Sequence, residues 1–61
     1  MNENVRRIHR GEVPEATFEE LWYGEEGDEV FIEGIGVVKI SWKKYKGDEI
    51  QFVDVFVREG R

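Results

Sequence analysis

Between Asp28 and Arg58 the chain contains no proline, alternates apolar with polar side chains, and is broken twice by glycine-marked segments. The breaks are Glu33-Gly34-Ile35-Gly36 and Tyr45-Lys46-Gly47-Asp48. Side chains alternate across a strand, and glycine supplies the positive φ that tight turns need. The pattern therefore predicts a three-stranded antiparallel meander over residues 28–58. Its strands run roughly Asp28–Glu33, Val37–Tyr45 and Glu49–Arg58. Gly34 at the first central position suits a type II′ hairpin. A two-residue Lys46-Gly47 turn sets Lys44 across from Glu49, Lys39 from Asp54, Val38 from Val55 and Ile40 from Val53. Such cross-strand pairs each contribute about 0.2–1 kcal/mol.

Both faces of this meander carry apolar side chains. Phe31, Val38, Ile40, Trp42, Val53, Val55 and Val57 are expected on one. Val30, Ile32, Val37, Ile50, Phe52 and Phe56 are expected on the other, with Lys39 and Asp54 between them. One short helix covers one face. The second face must be covered by curling of the sheet, by the N-terminal arm or by another subunit.

The helix is expected over residues 14–24. Phe18, Leu21 and Trp22 fall at i, i+3 and i+4, on one side of a helix. Thr17 and Glu20 have the spacing of a capping box. Alternatively Pro14 occupies the first turn, where its missing N–H costs nothing. Gly24 suits a left-handed stop. Residues 1–13 read as a basic, flexible arm, in which Val5 and Ile8 have helical rather than strand spacing.

Size limits the options. A chain of 61 residues makes one domain, residues 1–61, and without cysteine no disulfide supports it. The stability has to come from a dense core or from a partner. Net charge is −5, but unevenly placed. Residues 12–33 hold nine carboxylates and no lysine or arginine, whereas residues 1–11 and 34–61 each carry +2. The simpler reading of the acidic stretch is a solvated helix and loop; the sharper one is a contact surface. The start of the chain lacks the apolar segment of a signal peptide, and no run suffices to span a membrane. A cytoplasmic location, with no membrane partner, is the expectation.

Gly27-Asp28-Glu29-Val30-Phe31-Ile32-Glu33-Gly34-Ile35-Gly36-Val37-Val38 resembles the opening of small SH3-like barrels of the Tudor and KOW type. These run from Gly-Asp-x-Val through a strand to a Gly-x-Gly turn and a valine-rich strand. The resemblance covers residues 27–38, and at most 27–58. It implies a curled meander that binds partners through its loops and one open face. The expected fold class is thus mainly β (α+β): a short N-terminal helix on a three-stranded meander that can curl into a small barrel.

The residues supply little chemistry. His9, Ser41 and Thr17 are single occurrences of their types. A triad would need Ser41 from mid-strand and His9 from the arm, so no catalytic residue is assigned and the chain reads as a non-enzyme. Glu25-Glu26-Gly27-Asp28-Glu29 is rich in oxygen ligands but lacks the spacing of a calcium loop, and one histidine without cysteine excludes ordinary zinc sites. No metal or cofactor is expected.

Binding remains. The leading expectation is a small regulatory module acting through protein–protein contact, with Val37, Ile32, Ile50, Phe52 and Phe56 as its apolar surface. Self-association would satisfy the same face. The first alternative is an acidic inhibitor that mimics nucleic acid toward a basic partner through Glu19, Glu20, Glu25 and Glu26. The second is direct nucleic-acid binding through Arg6, Arg7 and Arg10 with Lys43 and Tyr45 of the Trp42–Tyr45 segment, where basic residues alternate with rings. A sequence pI near 4.8 weighs against that last reading.

Overall fold

A computed structural model describes residues 3–58. Met1, Asn2 and residues 59–61, including Glu59 and Arg61 of the charge map, lie outside the described residues. The fold is mainly β. It comprises β1 (Glu3–His9), α1 (Glu15–Tyr23), β2 (Glu29–Ile32), β3 (Gly36–Lys46) and β4 (Gln51–Arg58). The strands form one open antiparallel sheet in the order β1-β4-β3-β2. The expected three-stranded meander is therefore replaced by four strands, and among the described residues the sheet stays open at β1 and β2 instead of closing as a barrel.

The fourth strand comes from the arm. Residues 3–9 pair with β4, from Glu3 opposite Arg58 to His9 opposite Phe52. The i, i+3 spacing of Val5 and Ile8 is not helical. Ile8 faces the helix side and is fully buried, while Val5 faces the other side and is exposed. An edge strand with arginines on both of its faces shows little apolar alternation, which is why it reads as an arm.

The helix begins at Pro14, whose extended backbone (ψ 147°) leaves its carbonyl free to accept the Phe18 N–H at 3.0 Å. No side chain caps this end. Thr17 lies inside the first turn, so the Thr17–Glu20 capping box does not form. Phe18 and Leu21 are fully buried, and Trp22 packs partly against the core with its ring stacked on Phe18 at 6.0 Å. The helix stops at Gly24, but not in the left-handed conformation, since its φ is −75°. Glycine is needed there for space. A Cβ would lie 2.6 Å from Ile40 Cδ1 and 2.7 Å from the Glu20 carbonyl.

After the helix, the acidic loop is tied to the sheet. The Gly27 N–H donates to the Ile40 carbonyl at 2.8 Å, and the Ile40 N–H donates to the Asp28 carbonyl at 2.9 Å. The β2–β3 connection has three residues, with Ile32 opposite Gly36. Gly34 and Gly36 both have positive φ, 90° and 112°. A two-residue turn was the expectation, and the extra residue reverses the facing of β2. Val30 and Ile32 enter the core, and Phe31 turns to the other side beside Val37. A one-residue slip always exchanges the two faces.

The second hairpin slips by even steps and keeps its faces outside residues 41–43, where Trp42, expected on the face of Val38 and Ile40, is 70% exposed. Its loop spans residues 47–50, closed by a hydrogen bond from the Gly47 N–H to the Ile50 carbonyl at 2.7 Å. Near the loop, Lys46 opposes Gln51, Tyr45 opposes Phe52 and Lys44 opposes Val53. Further along, Ile40 opposes Val55, Lys39 opposes Phe56 and Val38 opposes Val57. Between them β3 inserts Ser41, Trp42 and Lys43 where β4 has Asp54 alone, a β-bulge. None of the expected pairs forms: Lys44 with Glu49, Lys39 with Asp54, Val38 with Val55, or Ile40 with Val53. Val38, Ile40, Val53 and Val55 nonetheless join Ile8, Phe18, Leu21, Val30 and Ile32 in one core beneath the helix.

Candidate functional site

The helix covers only one face of the sheet. On the other face the register lines side chains up in rows, because residues directly opposite in an antiparallel pair share a face. Phe31 and Val37 sit together at one end. The next row runs Glu29, Lys39, Phe56, Val5 across all four strands. Asp54 and Arg7 follow, and then Tyr45, Phe52 and His9.

This face has two kinds of surface. At the first end Phe31, Val5 and Val37 remain 65%, 60% and 53% exposed, beside a part-buried Phe56. Glu29 and Lys39 border these side chains. An apolar patch crossed and rimmed by charge has the composition of a contact surface.

The second end is sealed by its own residues. The Tyr45 ring stacks on Phe52 with centroids 5.4 Å apart, and the His9 ring meets Phe52 edge-on at 5.6 Å. The Arg7 guanidinium lies 4.0 Å from the Phe52 ring centroid. Arg7 Nε donates to Asp54 Oδ1 at 3.0 Å and its terminal nitrogen to Oδ2 at 3.4 Å. The hydrogen bond to Asp54 is the main reason that the guanidinium is held above its ordinary pKa, with burial opposing. Phe52 is thus buried without the helix, by side chains of its own face.

The five residues expected to form the apolar surface separate. Val37 and Phe56 lie on the open face. Phe52 shares it but is closed over by its neighbours. Ile50 is exposed in the 47–50 loop. Ile32 is core, a correction that follows from the reversed facing of β2. The same reversal brings Phe31 to the face. Val5 arrives with β1. A three-residue loop around Gly34 was the signal that would have found Phe31, while no pattern in residues 3–9 pointed to Val5.

The charged candidates lie elsewhere. Glu19, Glu20, Glu25 and Glu26 are exposed on the helix and the loop after it. Asp28 from that loop bonds the Glu25 N–H at 3.0 Å, and no group of three or more acidic or histidine side chains is placed to hold a metal among the described residues. Of the basic candidates, Arg7 is paired with Asp54, and Arg10 bonds both Gln51 and Glu15. Arg6 is exposed and joins no ion pair among the described residues. Lys43 is exposed, and its N–H reaches the buried Ser41 hydroxyl at 3.4 Å. Tyr45 is half-exposed above Phe52. No hydrogen bond links Ser41 to His9, whose backbone is held by Glu12. A shallow cleft of about 280 Å³ beside the 47–50 loop is lined by Arg10 and Lys46, among others.

No described helix is long and apolar enough to cross a membrane. No protein-family model, curated protein or solved structure matches the chain.

Proposed function

We propose that this chain is a small binding module that docks a protein partner on the sheet face opposite its helix. The observation that carries the reading is the exposure of Phe31, Val5 and Val37 together on a face that no helix or strand among the described residues covers. A core this small leaves little apolar surface to spare, so a grouped excess on one face favours contact over chemistry. The rim of Glu29 and Lys39 offers both signs of charge for orientation. The reading is non-enzymatic and regulatory in character, and it requires no cofactor.

Site-specific photo-cross-linking in the native cell tests it. A photoreactive residue at Val37 should trap a discrete protein adduct, and one at Tyr23, exposed on the helix, should not. Phe31→Lys in the Val37 probe should remove the adduct. Equal labelling from both positions, or an adduct indifferent to Phe31→Lys, would overturn the proposal.

A further inference from the structure

The chemistry of the partner can be carried further at the outer edge of β1, on the reading that this chain binds protein. β1 is an outermost strand, and no strand among the described residues pairs with its outer side. The Arg10 N–H donates to the Gln51 carbonyl at 2.9 Å, and the β1–β4 register continues that spacing without a break. Bonded residues alternate along an antiparallel ladder. Asn4, Arg6 and Ile8 therefore turn their backbone groups toward β4, and Val5, Arg7 and His9 turn theirs outward. His9 agrees with this phase. Its N–H donates to the Glu12 carboxylate at 2.9 Å, and its carbonyl accepts the Glu12 N–H at 3.0 Å. The turn after β1 closes the edge at His9 and leaves it open at Val5 and Arg7.

The open stretch is basic. Arg7 lies on the open face, its side chain still 47% exposed beside Asp54, and Arg6, on the helix side, joins no ion pair among the described residues. The opposite edge of the sheet shows what complements it. There the Ile40 N–H bonds the Asp28 carbonyl, so Glu29 and Phe31 turn their backbone groups outward. Laid antiparallel against β1, a strand with this pattern puts its glutamate opposite Arg7 when its phenylalanine is opposite Val5. A second copy supplying β2 itself would make a head-to-tail contact, which runs on as a filament unless its rotation closes a ring. β2 is also only four residues long and bordered by Asp28 and Glu33, features that keep an edge from pairing.

We propose that the outer edge of β1 is a strand-addition site for an extended segment of a protein partner. That segment carries a carboxylate beside Arg7 and, two residues on, an aromatic or aliphatic side chain beside Val5. Main-chain hydrogen bonds hold such a strand, and alternate side chains select it. The added strand extends the row of Glu29, Lys39, Phe56 and Val5, so its apolar side chain enlarges the exposed patch.

A blocked peptide of sequence Asp-Glu-Val-Phe-Ile-Glu serves as the probe, followed by amide NMR and hydrogen exchange on the intact chain. The Val5 and Arg7 amides should shift and gain protection, while that of Tyr23 should not. Replacing the first glutamate of the probe by lysine should weaken binding by about fivefold. Val5→Pro removes an outward N–H, which an edge strand tolerates, and should abolish binding with the fold intact. N-methylation of the probe at its first glutamate and its phenylalanine tests the same bonds with the protein unchanged, should the proline variant fail to fold. Unaltered affinity after Val5→Pro in a folded chain, or after N-methylation, would overturn strand addition. Concentration-dependent growth of the free chain that Val5→Pro abolishes would assign the edge to a second copy and overturn a separate partner. A protein adduct at Val37 that survives Val5→Pro would refute strand addition while leaving docking on the face intact.

Discussion

Arg7 and Asp54 stand directly opposite each other on β1 and β4, and the guanidinium grips the carboxylate through two nitrogens, at 3.0 and 3.4 Å. Asp54 is only 6% exposed, and the Arg7 guanidinium is the cation set against its carboxylate. Removing one member of such a pair leaves the other uncompensated, which is destabilising. Arg7→Gln should lower the urea midpoint clearly. Arg6→Gln, one residue away and in no ion pair among the described residues, should leave it unchanged. The pKa of Arg7 is raised, so the protonated guanidinium favours the folded state. That contribution is complete below the ordinary arginine range and is lost only as pH rises above it. The difference between wild type and Arg7→Gln should therefore stay flat from pH ~7 to ~10 in urea titrations.

Gly24 is required by the approach of helix to sheet. Its φ of −75° suits any residue, but an added Cβ would collide with Ile40 Cδ1 and the Glu20 carbonyl. Gly24→Ala should cost about 1–3 kcal/mol, the range of overpacking. Combining it with Ile40→Val, which removes Cδ1, should recover part of the loss. A double-mutant cycle by urea unfolding measures the coupling, and strict additivity would place the strain elsewhere.

These two contacts also show where sequence reasoning stops. The helix face was legible because Phe18, Leu21 and Trp22 repeat at helical spacing, and outside the bulge that exposes Trp42 the facing of β3 and β4 survived because their register moved by even steps. Loop length was not legible. Glu33-Gly34-Ile35-Gly36 accommodates a loop of either two or three residues, and that one residue decides whether Ile32 or Phe31 is buried. The bulge at Ser41–Lys43 hides in a run that alternates through it. β1 escaped because its partner lies 47 residues away for the Arg7–Asp54 pair, and its arginines mask the alternation of Ile8 with Val5. The candidate surface was consequently half legible: Val37 and Phe56 follow from alternation in β3 and β4, while Phe31 and Val5 depend on loop length and long-range pairing.

Lys44 caps the helix from another strand. Its ammonium donates to the carbonyls of Trp22 and of Gly24, the latter at 3.3 Å, and lies 5.7 Å from the Trp22 ring centroid. The last turn of the helix has no basic residue of its own. Positive charge at a helix C-terminus contributes about 0.3–1 kcal/mol. Lys44→Met should cost about that much, and hydrogen exchange should speed up first at the amides of residues 22–24. Uniform acceleration through the sheet would mean that Lys44 supports the β3–β4 pairing instead.

Three phenylalanines should separate core, sealed face and free face. Phe18 is fully buried between helix and sheet, and Phe18→Ala should cost about 3–5 kcal/mol. A chain of this size holds roughly 3–5 kcal/mol in all, so that variant should be largely unfolded in water. Phe52 is 8% exposed, but Arg7, His9 and Tyr45 bury it and can relax toward solvent. Phe52→Ala should cost about 2–4 kcal/mol and loosen the Arg7–Asp54 pair. Phe31 contacts solvent over most of its surface, and Phe31→Thr replaces one residue type that strands favour, an aromatic, by another, a β-branched side chain. Its cost should stay within about 0.5 kcal/mol. Urea denaturation of the three variants measures the order. A loss at Phe31 as large as that at Phe52 would mean that the open face is closed in solution, and sedimentation of the wild type would then show whether a second copy closes it.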